Sequence, residues 1–366
     1  VRRFRATEAE VDLGAIRHNV SVLKPGGSEL MAVVKADGYG HGATEVAEAA
    51  LSVGATWTGV ALVEEGLSLR ASGIAAPVLV LSELPAGSEP DAIEAGLTVP
   101  LYSEGGLARL ARAAGGRRLG VHVKVDTGMH RGGVWPPEEA AAYVDRVVAA
   151  GLRLDGLWTH LAVSAEDPVE TDAQLDRFAA AVQRVRAAGH EPSILHVANT
   201  GAVIMHPRSH LDLVRPGIGM YGLEPAPGVG RELGLRPALT WRSAVANVKS
   251  LPAGERISYG LHYRLLRDSL VATVPVGYAD GYPRSLSSRA DVLIRGRRRA
   301  IAGNVTMDQL MVDCGDGPVE PGDEVVLIGT QGEETIGAEE LAGLAGTIGY
   351  EIVTRIGRRV PRGYTG

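Results

Sequence analysis

The residues best placed for chemistry lie in Met31 to Gly42, Met-Ala-Val-Val-Lys-Ala-Asp-Gly-Tyr-Gly-His-Gly. Apolar Met31–Val34 reads as a buried strand, Asp37-Gly-Tyr-Gly as a tight loop, and the alanine-rich run 43–53 as a helix. Lys35 is therefore expected where a strand ends. At the C-terminal end of a barrel strand a lysine points into the mouth, where desolvation disfavours the ammonium and frees the amine to attack a carbonyl. Taken alone, Val-Lys-Ala reads equally as a surface lysine beside a glycine-rich turn. Arg215, in Val-Arg-Pro-Gly-Ile, and Tyr259, in Ile-Ser-Tyr-Gly, raise the same choice. The arginine is a permanent donor or a salt-bridge partner, and the tyrosine is a weak acid with an ordinary pKa of about 10 or a packing residue.

These side chains need a scaffold that brings distant segments together. Short apolar runs at 31–34, 58–61, 78–81, 97–99, 121–125, 154–158, 194–197 and 213–214 are separated by helical stretches such as 64–71, 106–114, 137–150 and 171–188. Eight strands alternating with helices argue for a parallel (β/α)8 barrel of the TIM type, since parallel neighbours need crossover helices; an open doubly wound sheet is the rival. In such a barrel a phosphate often rests on the loops after strands seven and eight, here Asn199-Thr200-Gly201 and Pro216-Gly217-Ile218-Gly219. Thr200 offers a hydroxyl, Gly217 and Ile218 offer backbone N–H groups, and Tyr39 can add a phenol. Each loop by itself also reads as a helix cap or a turn.

Near Pro225-Ala-Pro-Gly-Val-Gly the pattern changes. Alternating or β-branched runs at 244–251, 270–276, 292–294, 311–312 and 324–328, with a helix at 338–345, predict a mainly β domain. The expected division is an N-terminal strand within 1–12 that joins the β domain, a barrel at 13–228 and the β domain at 229–366.

The chain has 366 residues, 45% of them hydrophobic, and a net charge of -6, so it can bury two cores and is not basic enough for nucleic acid to be a natural partner. A single cysteine, Cys314, excludes an internal disulfide and a multi-cysteine metal site. No apolar run of membrane-spanning length occurs, and Val1-Arg-Arg-Phe-Arg leads straight into polar sequence, so a cytoplasmic small-molecule enzyme without a metal is expected.

Lys35 to Gly42 matches, in order, the cofactor-lysine motif of the alanine racemases, and the resemblance extends from Val11 to about Tyr350 through at least six separated motifs. It implies that Lys35 carries pyridoxal 5'-phosphate as a Schiff base, that Tyr39, Asn199, Thr200, Gly217, Ile218 and Tyr350 cradle its phosphate end, and that Arg215 faces its pyridine nitrogen. Thr200 stands where the family usually has serine, so an added methyl must find room. Tyr259 matches the second base, which takes the face of the substrate carbon opposite Lys35, and His160 matches the histidine that hydrogen-bonds this phenol and links it to Arg215. Arg131 matches the residue that contacts the cofactor's phenolic oxygen and the substrate carboxylate. Lys124 matches the lysine that is often carbamylated to hold that arginine, while His130 departs from the small residue common there. Met307, followed by Asp308, matches a backbone N–H that binds the substrate carboxylate. Tyr278, Arg284 and Tyr350 resemble the lining of the access channel, in which a family arginine is replaced by Asn304.

The resemblance implies interconversion of L- and D-alanine, D-alanine for peptidoglycan, and a head-to-tail homodimer in which Tyr259 reaches the partner's barrel. A racemase of broader amino-acid specificity, a decarboxylase of the same two-domain class and a cofactor carrier without turnover are the alternatives. The decarboxylase should carry a catalytic cysteine, and the carrier should be a lone barrel.

Overall fold

A computed structural model describes residues 5–366; the arginine-rich start at residues 1–4 lies outside the described residues. The chain forms two compact units. One consists of Ile16–Gly38 with Ala43–Arg236, and the other of the described residues through Ala15, Tyr39–Gly42 and Pro237–Gly366.

The first unit contains eight strands in chain order: Glu29–Val33, Trp57–Val60, Val78–Val80, Val99–Leu101, Gly120–Lys124, Arg153–Trp158, Ile194–His196 and Leu213–Val214. Every paired neighbour is parallel, and the eighth strand lies beside the first. Two seams complete the ring. Thr98 N–H donates to the Val78 carbonyl at 2.8 Å, and Arg215 N–H donates to the Ala198 carbonyl at 2.9 Å. The closed order excludes an open doubly wound sheet. Met31, Leu79 and Leu213, from the first, third and eighth strands or their ends, fill the interior with Trp57, Leu81 and Ile194 packed against them. Gly59 makes room for this layer, because a Cβ there would meet Met31 Sδ at 2.8 Å.

Helices fall close to the predicted stretches, at Ala43–Ser52, Val63–Ala71, Glu104–Ala114, Ala140–Ala149 and Pro168–Ala187. Glu89–Glu94 is a short helix that was not predicted, six residues being too few to display a 3.6-residue period, and Thr200–Met205 is the helix for which Asn199-Thr200-Gly201 reads as a cap. The fourth strand starts two residues beyond the predicted position and runs through Pro100.

The second unit is built on a ten-stranded, mostly antiparallel sheet. The N-terminal strand Glu8–Asp12 lies within it, antiparallel to Leu239–Ala244 and parallel to Arg362–Thr365. Pairing between segments some 230 and 350 residues away leaves no local signature, which is why the C-terminal strand escaped the sequence reading. So did Arg297–Ile301, whose three consecutive arginines hide the strand period. A separate two-stranded ribbon pairs Arg256–Ile257 with Tyr263–Arg264 and presents Tyr259 at its turn. Its base is fixed by a cluster of Ile257, Leu265, Val271 and Ala302. Among the described residues no helix is long and apolar enough to cross a membrane, and no group of three or more metal-ligating side chains occurs.

Gly40 also belongs to this unit. Its φ is +82°, and a Cβ there would run into the Val353 carbonyl oxygen. Gly40→Ala is therefore expected to destabilise the protein by about 1–3 kcal/mol, from a left-handed alanine and overpacking against fixed backbone. Chemical denaturation midpoints check this, and an unchanged midpoint contradicts the crowding argument.

Candidate active site

Lys35 follows the first barrel strand and opens a turn that is left-handed over three residues: Ala36 (φ 53°, ψ 48°), Asp37 (φ 53°, ψ 51°) and Gly38 (φ 59°, ψ 44°). Tyr39 continues at φ 53°. Successive left-handed L-residues cost roughly 1–2 kcal/mol each, so the surroundings must hold them. They do: Glu65 accepts from Ala36 N–H at 2.6 Å, and Asp37 accepts from Ala43 N–H at 3.1 Å. The predicted tight loop is thus a strained turn, and it fixes where the Lys35 stem leaves the strand.

Lys35 is half-buried, and its pKa is lowered by burial first and by the charge of Arg131 second, with Glu65 opposing. Lys124 ends the fifth strand, where burial and the charges of Arg131, Arg215 and Lys35 bring its pKa down to about 8. The indole of Trp158 lies 4.8 Å from Lys124 Nζ and 4.9 Å from the Arg215 guanidinium carbon, so one ring faces two cations. Arg131 is exposed on a loop pinned to the strand end, with Val134 N–H on the Lys124 carbonyl at 2.8 Å and Asp126 N–H on the Val134 carbonyl at 3.1 Å. His130, at φ 55°, packs edge-on against Trp135.

The two carboxylates acting on these lysines are already engaged. Glu65 accepts from Ala36, Ala61 and Leu62 N–H, and Asp126 Oδ1 accepts from Gly128 and His130 N–H. Four cations therefore converge while the neighbouring carboxylates hold loops in place. Such a donor set suits a ligand with several anionic groups.

Arg215 is buried, and burial lowers its pKa to about 9, still well above neutrality. Its guanidinium donates to His196 Nδ1 at 2.8 Å and to the carbonyls of Thr159 and Val197 at 2.8 and 3.1 Å. The imidazole hydrogen-bonded to Arg215 is His196, while His160 feels the Arg215 charge. Because arginine only donates, His196 Nδ1 accepts, and its proton sits on Nε2. That nitrogen lies 2.9 Å from His122 Nδ1, so the proton of His122 sits in turn on its own Nε2. Burial holds both rings neutral, His122 near 4 and His196 well below its ordinary value, and Trp158 stacks on His196 at 5.3 Å. The sequence reading missed both histidines. The available signal was a histidine inside an apolar strand, two residues before Lys124 in one case and within Ile-Leu-His in the other.

His160, just past the sixth strand, is held well below its ordinary pKa by burial and by the charges of Arg215, Arg131, Lys124 and Lys35. After the seventh strand, Asn199 caps the short helix by accepting from Ala202 N–H at 3.1 Å, and its oxygen also accepts from the Ser164 hydroxyl at 2.6 Å. Thr200 Oγ1 accepts from Gly217 N–H at 2.9 Å, which ties the two glycine-bearing loops together, with Ile218 buried beside them. The extra methyl of Thr200 has the space of Gly219, where a Cβ would meet it at 2.7 Å. A Cβ on Gly201 would meet Ser164 Oγ at 2.8 Å. These glycines let the two loops pack closely, and the loops carry N–H and hydroxyl groups of the kind a phosphate requires.

In the second unit the rings of Tyr39 and Tyr350 lie 6.1 Å apart. Both phenols are pushed up by burial, Tyr350 to about 12, so they are protonated donors. Tyr350 stands on an unpredicted helix, Gly349–Thr354. Tyr259 is 75% exposed, as are Met307, Tyr278 and Arg284 to lesser degrees. Asp308 accepts from Arg359 at 2.8 Å. The structure thus gathers Lys35, Lys124, Arg131, His160, Thr200 and Arg215 on one unit, and Tyr39, Tyr259, Tyr278, Arg284, Met307, Asp308 and Tyr350 on the other.

Known proteins share this organisation. A family model described as alanine racemase, N-terminal domain, matches residues 11–225, and one described as alanine racemase, C-terminal domain, matches residues 238–364. An alanine racemase of Symbiobacterium thermophilum is 52% identical over 99% of this chain and 98% of its own length. One from Thermobifida fusca is 46% identical over 98% of each. Among solved structures, an alanine racemase from D-cycloserine-producing Streptomyces lavendulae superposes with a TM-score of 0.94 at 41% identity, covering 100% of this chain and 98% of that one. The Bacillus anthracis alanine racemase with bound L-Ala-P gives 0.95 at 37% identity, covering 100% and 96%.

Proposed function

We propose, from the premise that this chain belongs to the alanine racemase family, that it interconverts L- and D-alanine with pyridoxal 5'-phosphate held at the barrel mouth. The observation that carries the reading is the convergence of Lys35, Lys124, Arg131 and Arg215 beside carboxylates already engaged by backbone. Phosphate, phenolate and substrate carboxylate are the three anions such a site would balance. The cradle around Thr200, Gly217 and Ile218, with Asn199 shaping it and Tyr39 and Tyr350 as phenol donors, suits the phosphate. Arg131 suits the other two anions, and Met307 N–H would be a further donor to the carboxylate.

When bound, pyridoxal 5'-phosphate supplies an electron sink that acidifies the Cα–H of an amino acid joined to it through the amine. The rest is work for this chain's residues. Lys35, whose lowered pKa raises the share of free amine, would hold the cofactor and, once free of it, serve as acid or base on one face of Cα. Tyr259 serves the opposite face, and the neutral imidazole of His160 is its hydrogen-bond partner. Arg215, which donates but keeps its own proton, would face the pyridine nitrogen without protonating it and would favour return of the proton to Cα over transamination. His196 and His122, with fixed tautomers, keep the guanidinium aimed.

The β unit leaves a set of large apolar side chains exposed, Tyr259, Leu261, Leu266 and Met307. We read it as the surface by which Tyr259 reaches the barrel of a second copy in a head-to-tail homodimer. Tyr278, Arg284 and Tyr350 would line the access channel, and Asp308, through Arg359, would keep the Met307 segment in place. On this reading the enzyme works in the cytoplasm and its D-alanine serves peptidoglycan. Loss of optical rotation from L-alanine by purified protein supplied with the cofactor tests the activity. Rotation unchanged with alanine but lost with serine or lysine would move the substrate assignment.

Lys124 provides a further prediction. Carbon dioxide adds to a free amine with release of a proton, and the free-amine fraction rises as the pH climbs through about 8, so a carbamate should form more readily above neutrality than below. A carbamate would turn a cation that repels Arg131 into an anion that holds it. Protein in 13C-bicarbonate is expected to show a carbamate resonance that Lys124→Arg lacks, and Lys124→Ala is expected to lose about 10- to 100-fold in kcat/KM. No resonance at any pH would leave Lys124 uncarbamylated.

A further inference from the structure

Asn304 stands where a channel arginine is expected, and the structure gives it a different task. Its side-chain Nδ2 donates to the backbone carbonyl of Tyr259 at 2.7 Å, and its backbone carbonyl accepts from Ser258 Oγ at 2.7 Å. The segment it clamps is strained: Ser258 has φ 65° and ψ 179°, and after Gly260 at φ 77° comes Leu261 at φ 54°. Serine and leucine seldom adopt such angles unless neighbours impose them. The clamp is itself anchored on both sides. Gly303 N–H donates to Ser288 Oγ and Val305 N–H to Ser287 Oγ, each at 3.0 Å. Gly303 also lets the two segments touch, since a Cβ there would meet Ser258 Cβ at 2.6 Å and the Ile257 carbonyl oxygen at 2.7 Å.

We propose that Asn304 is a positioning residue for Tyr259: its amide holds the strained backbone from which the phenol projects, so that an asparagine here aims the second base. The proposal rests on the two-base reading above, and its test separates the two. Each variant is incubated as holoenzyme with D-alanine in heavy water, and deuterium uptake at Cα is measured alongside racemisation. Exchange on the Lys35 face needs no phenol, whereas racemisation does. Partial unfolding lowers both together; a misplaced phenol raises the ratio of exchange to racemisation. Asn304→Ala is expected to raise that ratio about three- to tenfold, the loss of one net hydrogen bond, with Ser258→Ala moving it the same way and Asn304→Gln partly restoring it. A second reading needs no turnover: 3-fluorotyrosine at position 259 should give a broadened or shifted 19F signal in the cofactor-free Asn304→Ala protein.

A wild-type ratio and an unaltered 19F signal in Asn304→Ala, with Tyr259→Phe still raising the ratio, overturn the proposal alone. A ratio unmoved by Tyr259→Phe overturns the two-base reading and the proposal with it.

Discussion

Lys35→Ala is expected to abolish racemisation in both directions, by at least about three orders of magnitude, because one side chain both anchors the cofactor and moves a proton. The local geometry sharpens this. Lys35 leaves the strand through a left-handed turn pinned by Glu65, which accepts from Ala36 N–H, and by Asp37, which accepts from Ala43 N–H, so the start of its side chain is fixed in direction. Borohydride followed by mass spectrometry should fix pyridoxal 5'-phosphate to a Lys35 peptide in the wild type and to nothing in the variant, while the circular dichroism of the two stays the same. Lys35→Arg should fare no better, since arginine stays protonated and is no nucleophile. Fixation on another lysine, or residual racemisation above about 1% in Lys35→Ala, would remove Lys35 from both roles.

Tyr259→Phe is expected to lower racemisation by about 10²- to 10⁴-fold, the usual range for one general acid or base. The equilibrium between the antipodes fixes the form of the loss. L- and D-alanine have equal free energies, so kcat/KM must fall by the same factor in both directions; kcat and KM taken singly need not. The asymmetry should appear in proton exchange: the variant should still exchange the Cα–H of D-alanine with heavy water through Lys35 but exchange that of L-alanine far more slowly. Tyr259 is 75% exposed on its own chain and lies at the turn of a small ribbon, so its loss should leave the denaturation midpoint within about 0.5 kcal/mol of wild type. Equal exchange from both antipodes, at near-native racemisation, would sink the assignment.

Much of the site was legible because its motifs are local. Lys35 to Gly42 packs strand, lysine and turn into consecutive residues, and the two loops bearing Thr200 and Gly217 follow short apolar runs at the strand numbers where barrels hold phosphate. The histidine link was not legible. Nothing in Leu-Trp-Thr-His or Ile-Leu-His says which ring meets Arg215, since both end neighbouring barrel strands; the barrel's closure selects His196, and proton accounting then extends the chain to His122. The turn after Lys35 was read as an ordinary tight loop because glycines advertise flexibility, whereas the left-handed angles of Ala36 and Asp37 come from hydrogen bonds to Glu65 and Ala43.

The sequence by itself determined the alternation of strands and helices, the change to β structure near residue 225 and the cofactor-lysine motif, since periodicity, turn chemistry and consecutive side chains are properties of neighbouring residues. Only tertiary structure decided that the eight strands close, that the N-terminal strand lies between Leu239–Ala244 and Arg362–Thr365, that four cations meet where the nearby carboxylates are already engaged, and that Asn304 grips Tyr259. Each of those depends on pairing between segments tens to hundreds of residues apart, and on desolvation and charge that exist only once the chain has folded.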